Sequence, residues 1–284
     1  MADPRLTPAS TDLAAKHLEG QVEAARFVEG EEHEVFDAIA PVRTGPSSDA
    51  SLNTEALKGE RVMIYDRNDE GWAWGQLLRD GYVGWLPDAA LVLPRSEPTH
   101  KVSALRTFSF PGPSIKLPPV ETLPLGARVA LVRETDEFAV TVNYHHIPRG
   151  HVVALDACER DFVSIAEHFV GTPYLWGGKT SLGIDCSGLV QVSLGACGIE
   201  ALRDSDMQRN SLGVKVTEPD FANLQRGDLI FWKGHVAIAR DRHSIVHANA
   251  FHMMTAIEAT ADALARIAAG GTPVLCVKRM SPKA

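Results

Sequence analysis

The spacing of hydrophobic and polar positions changes in character along the chain. Up to about residue 34 the sequence is polar and has one weak helical pattern, in which apolar residues recur between Leu13 and Ala25. Asp12 stands where an N-cap would stand. The pattern predicts an N-terminal arm or leading helix over residues 1–34, too short to form a domain.

Residues 35–95 carry short runs of β-prone residues separated by turn clusters. Runs such as 62–65 and 72–77 alternate with polar, glycine-containing stretches such as 68–71. Short strands with this punctuation are typical of a small barrel or sandwich. Residues 96–157 repeat the plan, so we predict two copies of one small β-barrel.

Three short matches in the same order support the repeat, although coincidence between two β-rich segments is the alternative. They pair 42–44 with 105–107, 57–62 with 124–129, and 81–83 with 150–152. In this alignment Ala127 stands in the second copy where Glu60 stands in the first, and His151 stands where Tyr82 stands. The Pro- and Ser-rich stretch 94–99 predicts a linker between the copies.

From residue 158 to residue 284 the pattern predicts helices followed by an antiparallel sheet, which is an α+β domain. Helical spacing covers 162–170 and the segment after Cys186. Apolar strands follow, with a tight turn at 241–243 between the last two. The strands are expected at 229–232, 236–239 and 244–249, a helix at 257–268 and a final strand at 273–279.

Cys186 ends a Gly- and Pro-broken loop and begins a predicted helix. Free backbone N–H groups and the positive end of the helix dipole meet there, and both favour an anion. A thiolate is the reactive form of cysteine, so this position is suited to a nucleophile. The alternative is a small buried hydrophobic residue, which is the usual role of a free cysteine.

Two histidines are candidates for the base that a thiol nucleophile needs. His235 stands at the start of one predicted strand and His247 near the end of the next. If these strands pair around the turn, the two rings come together, and Cys186 facing that edge completes a Cys-His-His set. His252 is a weaker candidate for the third role, and His243 lies at the wrong end of the hairpin.

Composition and charge argue against some classes of protein, such as those that bind nucleic acid or anionic membranes. The chain has 284 residues, 45% of them hydrophobic, and a formal net charge of -8. An acidic chain without a basic cluster is poorly suited to nucleic acid or to anionic membranes. The four cysteines form no CxxC pair, and neither a metal site nor a cofactor is expected. No secretory signal is evident, which predicts a cytoplasmic protein with reduced thiols.

Five sequence blocks, in this order, resemble the NlpC-type cell-wall cysteine peptidases. They are PYLWGG at 173–178, DCSGLV at 185–190, GDLIF at 227–231, GHVAI at 234–238 and VHA at 246–248. The resemblance is strong from about residue 160 to the end. The two barrels more loosely resemble bacterial SH3-like modules, and the whole layout is similar to the γ-D-glutamyl-L-diamino acid endopeptidases.

The resemblance implies a papain-like catalytic domain with Cys186 as nucleophile, His235 as general base and His247 as the group that orients it. Tyr174 would help to hold the oxyanion. The remaining residues carried over are substrate contacts: Asp185 and Ser187 beside the nucleophile, Arg203, Asp204 and Ser205 near the diamino acid, and Glu60 and Tyr82 of the first barrel around a free N-terminal amine.

The function implied is hydrolysis of the bond after γ-D-glutamate in a short peptide of the L-Ala-γ-D-Glu-diaminopimelate type, in recycling of peptidoglycan fragments. One alternative is an exported endopeptidase or amidase that acts on intact wall. Another is an inactive module that binds wall peptides. A third is an acyltransferase or transpeptidase, because the acyl-enzyme chemistry is shared.

Overall fold

The chain divides after Asp156 into two units. The structure is a computed structural model and describes residues 3–217 and 221–280. The first unit is made of strands, and the second combines helices with one large sheet. Among the described residues, no helix is both long and apolar enough to cross a bilayer.

The predicted leading helix is wrong. Leu13–Ala15 (β1) is a strand that pairs in parallel with Arg26–Val28 (β2), and a short 3-10 turn, Lys16–Leu18, follows β1. All three side chains of β1 are buried. A run that is buried on both faces suits a strand, whereas a surface helix would expose part of each turn.

Seven strands form the first barrel, in the order β5-β4-β8-β7-β6-β3-β9. Burial alternates along β7, as expected of strands with one face on a core. The sheet already begins at Glu31, before the predicted start at residue 35. The strands are Glu31–Val35 (β3), Ile39–Arg43 (β4), Leu52–Leu57 (β5), Arg61–Arg67 (β6), Trp72–Leu77 (β7), Val83–Pro87 (β8) and Leu91–Val92 (β9).

The second barrel repeats the strand pairing of the first in three smaller sheets, β13-β10-β17, β11-β12 and β14-β15-β16. They correspond to β6-β3-β9, β4-β5 and β6-β7-β8, with the long β6 interrupted here at Ala130. The strands are His100–Val102 (β10), Arg106–Ser109 (β11), Glu121–Pro124 (β12), Arg128–Val129 (β13), Leu131–Glu134 (β14), Phe138–Thr141 (β15), His146–Pro148 (β16) and Val152–Ala154 (β17).

One of the three sequence matches, 57–62 with 124–129, coincides with this structural repeat, and the other two are wrong. Ile39 pairs with Leu57 as Arg106 pairs with Pro124, so 105–107 corresponds to 38–40 and not to 42–44. Gly59 and Gly126 occupy equivalent turns, with φ of 76° and 88°. Pro87 and Pro148 each end a strand and precede a 3-10 turn and a further strand. The segment 150–152 therefore corresponds to the turn after β8, so His151 is not the counterpart of Tyr82.

The two barrels meet at the turn that holds Gly59. The backbone N–H of Arg128 donates to the carbonyl of Lys58 at 2.8 Å. A Cβ atom added at Gly59 would lie 2.5 Å from the Arg128 carbonyl oxygen. The Lys58 ammonium lies 2.9 Å from the Glu121 carboxylate. These contacts fix one barrel on the other without depending on the linker.

The second unit is built on a six-stranded sheet in the order β20-β25-β21-β22-β23-β24. Helices α1 and α2 pack against its central strands, and α4 shares a core with Ile230 and Trp232. The helices are Phe162–His168 (α1), Cys186–Ala196 (α2), Ser205–Ser211 (α3) and Thr260–Ala269 (α4). The strands are Lys179–Thr180 (β18), Gly183–Ile184 (β19), Val214–Lys215 (β20), Leu229–Trp232 (β21), His235–Ala239 (β22), Ser244–Asn249 (β23), Met254–Ala259 (β24) and Cys276–Arg279 (β25).

The prediction for this unit is correct in its central strands and wrong near its end. The α+β class, the helix after Cys186 and the hairpin of β22 and β23 are confirmed. The helix expected over 257–268 begins only at Thr260, because the preceding residues form β24 and pair with β23 along its whole length. The final strand is shorter than predicted, since it begins at Cys276.

Candidate active site

Cys186 is the first residue of α2, and its side chain is buried, with 6% exposure. Asp185 caps the helix, since its Oδ1 accepts from the backbone N–H of Gly188 at 2.7 Å. The backbone N–H groups of Ser187 and Val236 donate to the Cys186 sulfur. Val236 follows His235 in β22, so the start of that strand lies beside the sulfur.

Burial raises the pKa of the Cys186 thiol to about 12, and the Asp185 carboxylate acts in the same direction. The two backbone N–H groups and the Arg203 guanidinium oppose this rise without cancelling it. The sulfur is therefore a neutral thiol at pH 7. It can become a nucleophile by passing its proton to a neighbouring base as it attacks.

His235 and His247 meet across the hairpin, as the sequence predicted. Nε2 of His235 lies 2.9 Å from Nδ1 of His247, and the ring centroids are 5.2 Å apart. The pKa of both rings is lowered to about 3, mainly by burial, with smaller contributions from His247 and Arg266 at His235 and from Arg266 at His247. Both imidazoles are thus neutral at pH 7, and each ring has one nitrogen that carries no proton.

The phenol of Tyr174 lies in the same site. Burial raises its pKa, and so do a negative charge on Cys186, when that thiol is ionised, and the Asp185 carboxylate. The group therefore keeps its proton at any pH at which a cysteine peptidase works. A half-buried phenol that interacts electrostatically with the sulfur can donate a hydrogen bond to an oxyanion that forms there.

Asp185, Ser187 and Arg203 form one buried network beside Cys186. The Arg203 side chain is fully buried and binds both oxygens of Asp185, at 2.9 and 2.7 Å. Arg203 also donates to Ser187 Oγ at 3.0 Å and to the Gly178 carbonyl at 3.2 Å. The network fixes the loop and helix that present Cys186. Whether Asp185, Ser187 and Arg203 also contact substrate stays a prediction.

Asp204 and Ser205 lie at the start of α3, where Asp204 is the N-cap residue and Ser205 the first helical residue. Both are half-buried. Asp204 interacts electrostatically with the Arg203 guanidinium. The predicted role of Asp204 and Ser205 near the diamino acid stays a prediction.

Comparison with known proteins identifies the two parts of the chain. Residues 42–91 match the bacterial dipeptidyl-peptidase SH3 domain, and residues 171–263 match the NlpC/P60 family. The second unit is an NlpC/P60 domain. The chain is accordingly a cysteine peptidase, a hydrolase in which an SH3-like domain precedes the NlpC/P60 domain.

Individual relatives agree with this. The chain is 28% identical over 236 residues to a γ-D-glutamyl-L-lysine dipeptidyl-peptidase of Bacillus cereus, covering 69% of this chain and 67% of that protein. It is 36% identical over 99 residues to dipeptidyl-peptidase 6 of Lysinibacillus sphaericus, covering 35% of each. A crystal structure of an NlpC/P60 family protein from B. cereus has the same fold, with a TM-score of 0.75 and 21% identity, covering 89% of this chain and 100% of that chain.

Glu60 and Tyr82 lie outside the NlpC/P60 domain, in the first barrel, and both are buried. Glu60 Oε1 accepts from Arg79 Nη1 at 2.8 Å, and Oε2 accepts from the backbone N–H of Leu57 at 2.9 Å. An ammonium group could bind Glu60 only by sharing the carboxylate with Arg79. The role of Glu60 and Tyr82 in binding an amine stays a prediction.

Two residues that the sequence did not single out complete the site of the NlpC/P60 domain. Glu258 Oε2 lies 3.0 Å from His247 Nε2. Arg266 of α4 donates to both oxygens of Glu258, at 2.6 and 3.2 Å. If the sequence had predicted a strand over 254–259, Glu258 would have been identified as a neighbour of His247. In the register with β23, Glu258 is the diagonal neighbour of His247.

Some side chains of this site could instead bind a metal ion. Ligand atoms of His247, His252 and Glu258 lie within 4.8 Å of one another. The Arg266 guanidinium, however, already binds both oxygens of Glu258, so a fixed cation occupies the carboxylate. The arrangement fits a chain of hydrogen bonds better than a metal centre.

Proposed function

We propose that the chain is a cysteine endopeptidase that hydrolyses the bond between γ-D-glutamate and a diamino acid in short peptidoglycan stem peptides. The observation that carries the proposal is a thiol at a helix start that accepts from the backbone N–H of Val236, the residue next to His235, together with the hydrogen-bonded, neutral imidazoles of His235 and His247. This is the set of groups that acyl transfer from a peptide to sulfur requires.

The reaction has two halves. The Cys186 sulfur attacks the γ-carbonyl carbon while its proton passes to His235, and Tyr174 donates to the resulting oxyanion. The intermediate collapses to a thioester as His235 gives the proton to the departing amine of the diamino acid. Water then attacks the thioester with His235 as base, and the free γ-carboxylate and the thiol are restored.

The names of the relatives support the finer specificity. A γ-D-glutamyl-L-lysine dipeptidyl-peptidase removes a dipeptide that ends in D-glutamate, so the substrate begins two residues before the cleaved bond. We propose a free L-Ala amine at that start, with Glu60 and Tyr82 as its contacts. A buried carboxylate left facing an acylated nitrogen would lose a charged partner, which disfavours capped peptides.

Mass spectrometry of products from a peptide panel tests the proposal. The panel contains L-Ala-γ-D-Glu-L-Lys, the same peptide with diaminopimelate, their N-acetyl forms and intact peptidoglycan. We expect L-Ala-D-Glu and the free diamino acid from the uncapped peptides, and no product from Cys186→Ala. Equal rates on capped and free peptides, or release from intact wall alone, would contradict the free-amine specificity.

The Glu60 contact has its own test. We expect Glu60→Gln to raise KM for the free peptide at least tenfold while changing kcat little, because it removes a charge that only binds. Glu121→Gln, which removes another ion-paired carboxylate of the first unit, is the matched control. An unchanged KM in Glu60→Gln would remove Glu60 from the binding site.

We further propose that the protein works in the cytoplasm on recycled fragments. Stem peptides with a free L-Ala amine are products of wall turnover, so a preference for them favours recycling over trimming of intact wall. Fractionation of cells that express the full-length protein tests this. Recovery outside the cytoplasmic fraction would favour the exported alternative.

A further inference from the structure

Glu258 reaches the active site from the neighbouring strand. In the register of β23 and β24, His247 lies opposite Ala256, and Glu258 is two residues further along β24 on the same face. Its side chain is mostly buried, and its Oε2 lies 3.0 Å from Nε2 of His247. It therefore faces the ring nitrogen that is directed away from His235.

The proton positions along this chain of side chains follow from the acceptor at its end. A carboxylate oxygen can only accept, so the Nε2 of His247 must carry a proton to bond with it. A neutral His247 then has a bare Nδ1, which accepts from Nε2–H of His235 at 2.9 Å. A neutral His235 that is protonated on Nε2 has a bare Nδ1, and this is the nitrogen available as base for the thiol.

The opposite assignment is disfavoured. If Nε2 of His247 were bare, its lone pair would face a carboxylate oxygen at 3.0 Å with no hydrogen between them. A buried acceptor without a donor costs free energy, and two facing acceptors repel each other. The carboxylate thus selects one tautomer of His247, and through it one tautomer of His235.

Arg266 holds the carboxylate in place. It binds both oxygens of Glu258, and its guanidinium lies over the Phe251 ring at 4.2 Å from the centroid. Planar two-point binding fixes the orientation of a carboxylate better than a single contact does. We propose that Glu258, held by Arg266, is a positioning residue that sets the tautomers of both active-site imidazoles. This role in catalysis depends on the peptidase function proposed above.

Glu258 also faces the positive charge that forms during the reaction. When His235 takes the thiol proton, its surroundings are His247, the carboxylates of Glu258 and Asp185, and the Arg266 guanidinium. His247 faces Arg266, His252 and Glu258. The Glu258 carboxylate favours the imidazolium, and Arg266 opposes it. Removing the carboxylate should therefore lower kcat more than it changes substrate binding.

Kinetics of Glu258→Gln in two backgrounds test the positioning role. The amide can donate as well as accept, so it permits both tautomers of His247. We expect kcat to fall roughly 10- to 100-fold with little change in KM, and the acid limb of the kcat/KM profile to shift to lower pH. In a His247→Asn background, Glu258→Gln should cause no further loss, because the residue that it acts through is gone.

The matched control is Asp262→Asn, which removes one negative charge from an exposed position of α4. It should leave kcat and the pH profile unchanged. An equal loss from Glu258→Gln in both backgrounds would show a merely structural role and overturn the proposal. A kcat for Glu258→Gln equal to that of the control would also overturn it.

Nitrogen-15 NMR of the imidazoles gives a readout that needs no substrate. In the unmodified protein at pH 7 we expect a protonated Nε2 and a bare Nδ1 for both His235 and His247. Glu258→Gln should give a mixture of tautomers at His247. The reverse tautomer in the unmodified protein would overturn the inference. Should the chain cleave no stem peptide, the peptidase proposal fails while this measurement still decides the tautomers.

Discussion

Two arginine–carboxylate pairs flank the candidate active site of the NlpC/P60 domain, and they differ in burial. Arg203 and Asp185, beside Cys186, have side-chain exposures of 0% and 9%. Arg266 and Glu258, beyond the imidazoles, have exposures of 27% and 11%. Loss of one partner from the first pair leaves the other charge buried away from water, whereas water can reach the charge that remains when one partner of the second pair is lost. We therefore expect the first pair to control folding and the second to control reactivity.

The largest effect is expected from Arg203→Met. It leaves the Asp185 carboxylate buried without its cation and should lower the free energy of unfolding by about 3–5 kcal/mol. Urea unfolding of the full-length protein measures this. The double variant with Asp185→Asn removes both charges and should recover part of the loss. If Arg203→Met lowers the free energy of unfolding no more than Arg266→Met does, the difference in burial does not determine how much each pair contributes to stability.

Acid should destabilise the imidazole side of the site. The pKa of His235 and of His247 is lowered by burial to about 3, from a value of 6.5 in the unfolded chain. Between these values the unfolded state binds more protons, so stability is full at pH 7 and falls as the pH drops below 6.5. At pH 5 the loss should be about 2 kcal/mol for each imidazole.

Urea unfolding at pH 7 and pH 5 measures this dependence. His247→Asn removes one of the two titrating rings, so about half of the pH dependence should disappear. An unchanged dependence in this variant would mean that other groups cause the acid effect.

A smaller effect is expected from Arg266→Met. This guanidinium lowers the pKa of both imidazoles, after burial, so its loss should move the acid limb of kcat/KM to higher pH by roughly half a unit. The pair is partly exposed, so stability should change by about 1 kcal/mol or less. Arg240→Met, which breaks a comparably exposed ion pair with Glu167, is the matched control. Equal pH profiles for the two variants would contradict the assignment.

Local patterns in the sequence were enough to predict the helix that begins at Cys186 and the hairpin of β22 and β23. The turn between β22 and β23 is formed by adjacent residues, and the apolar runs on both sides of it are unambiguous. Strand β24 was missed because its residues continue smoothly into an Ala-rich helix. These residues form a strand only because they pair with β23, and the local sequence does not reveal that tertiary contact. Glu258 was missed with it.

The burial of Arg203 could not be predicted either. Arginine is almost never fully buried unless paired, and its partner Asp185 is 18 residues earlier in the chain. In the first unit, the leading helix was wrongly predicted for the same reason, because a contact distant in sequence determines the structure. β1 is held by parallel pairing with β2 rather than by local propensity. The repeat of the two barrels was found from short matches, but the first and third of them could be corrected only from the strand pairing.

The close approach of Gly59 to the Arg128 carbonyl has a consequence for module exchange. A chimera that replaced only one barrel would have to keep a glycine at this position, where it faces the backbone of the other barrel. Any side chain there would push the two modules apart. The natural unit for transplantation onto another peptidase is therefore the tandem pair, cut outside both barrels.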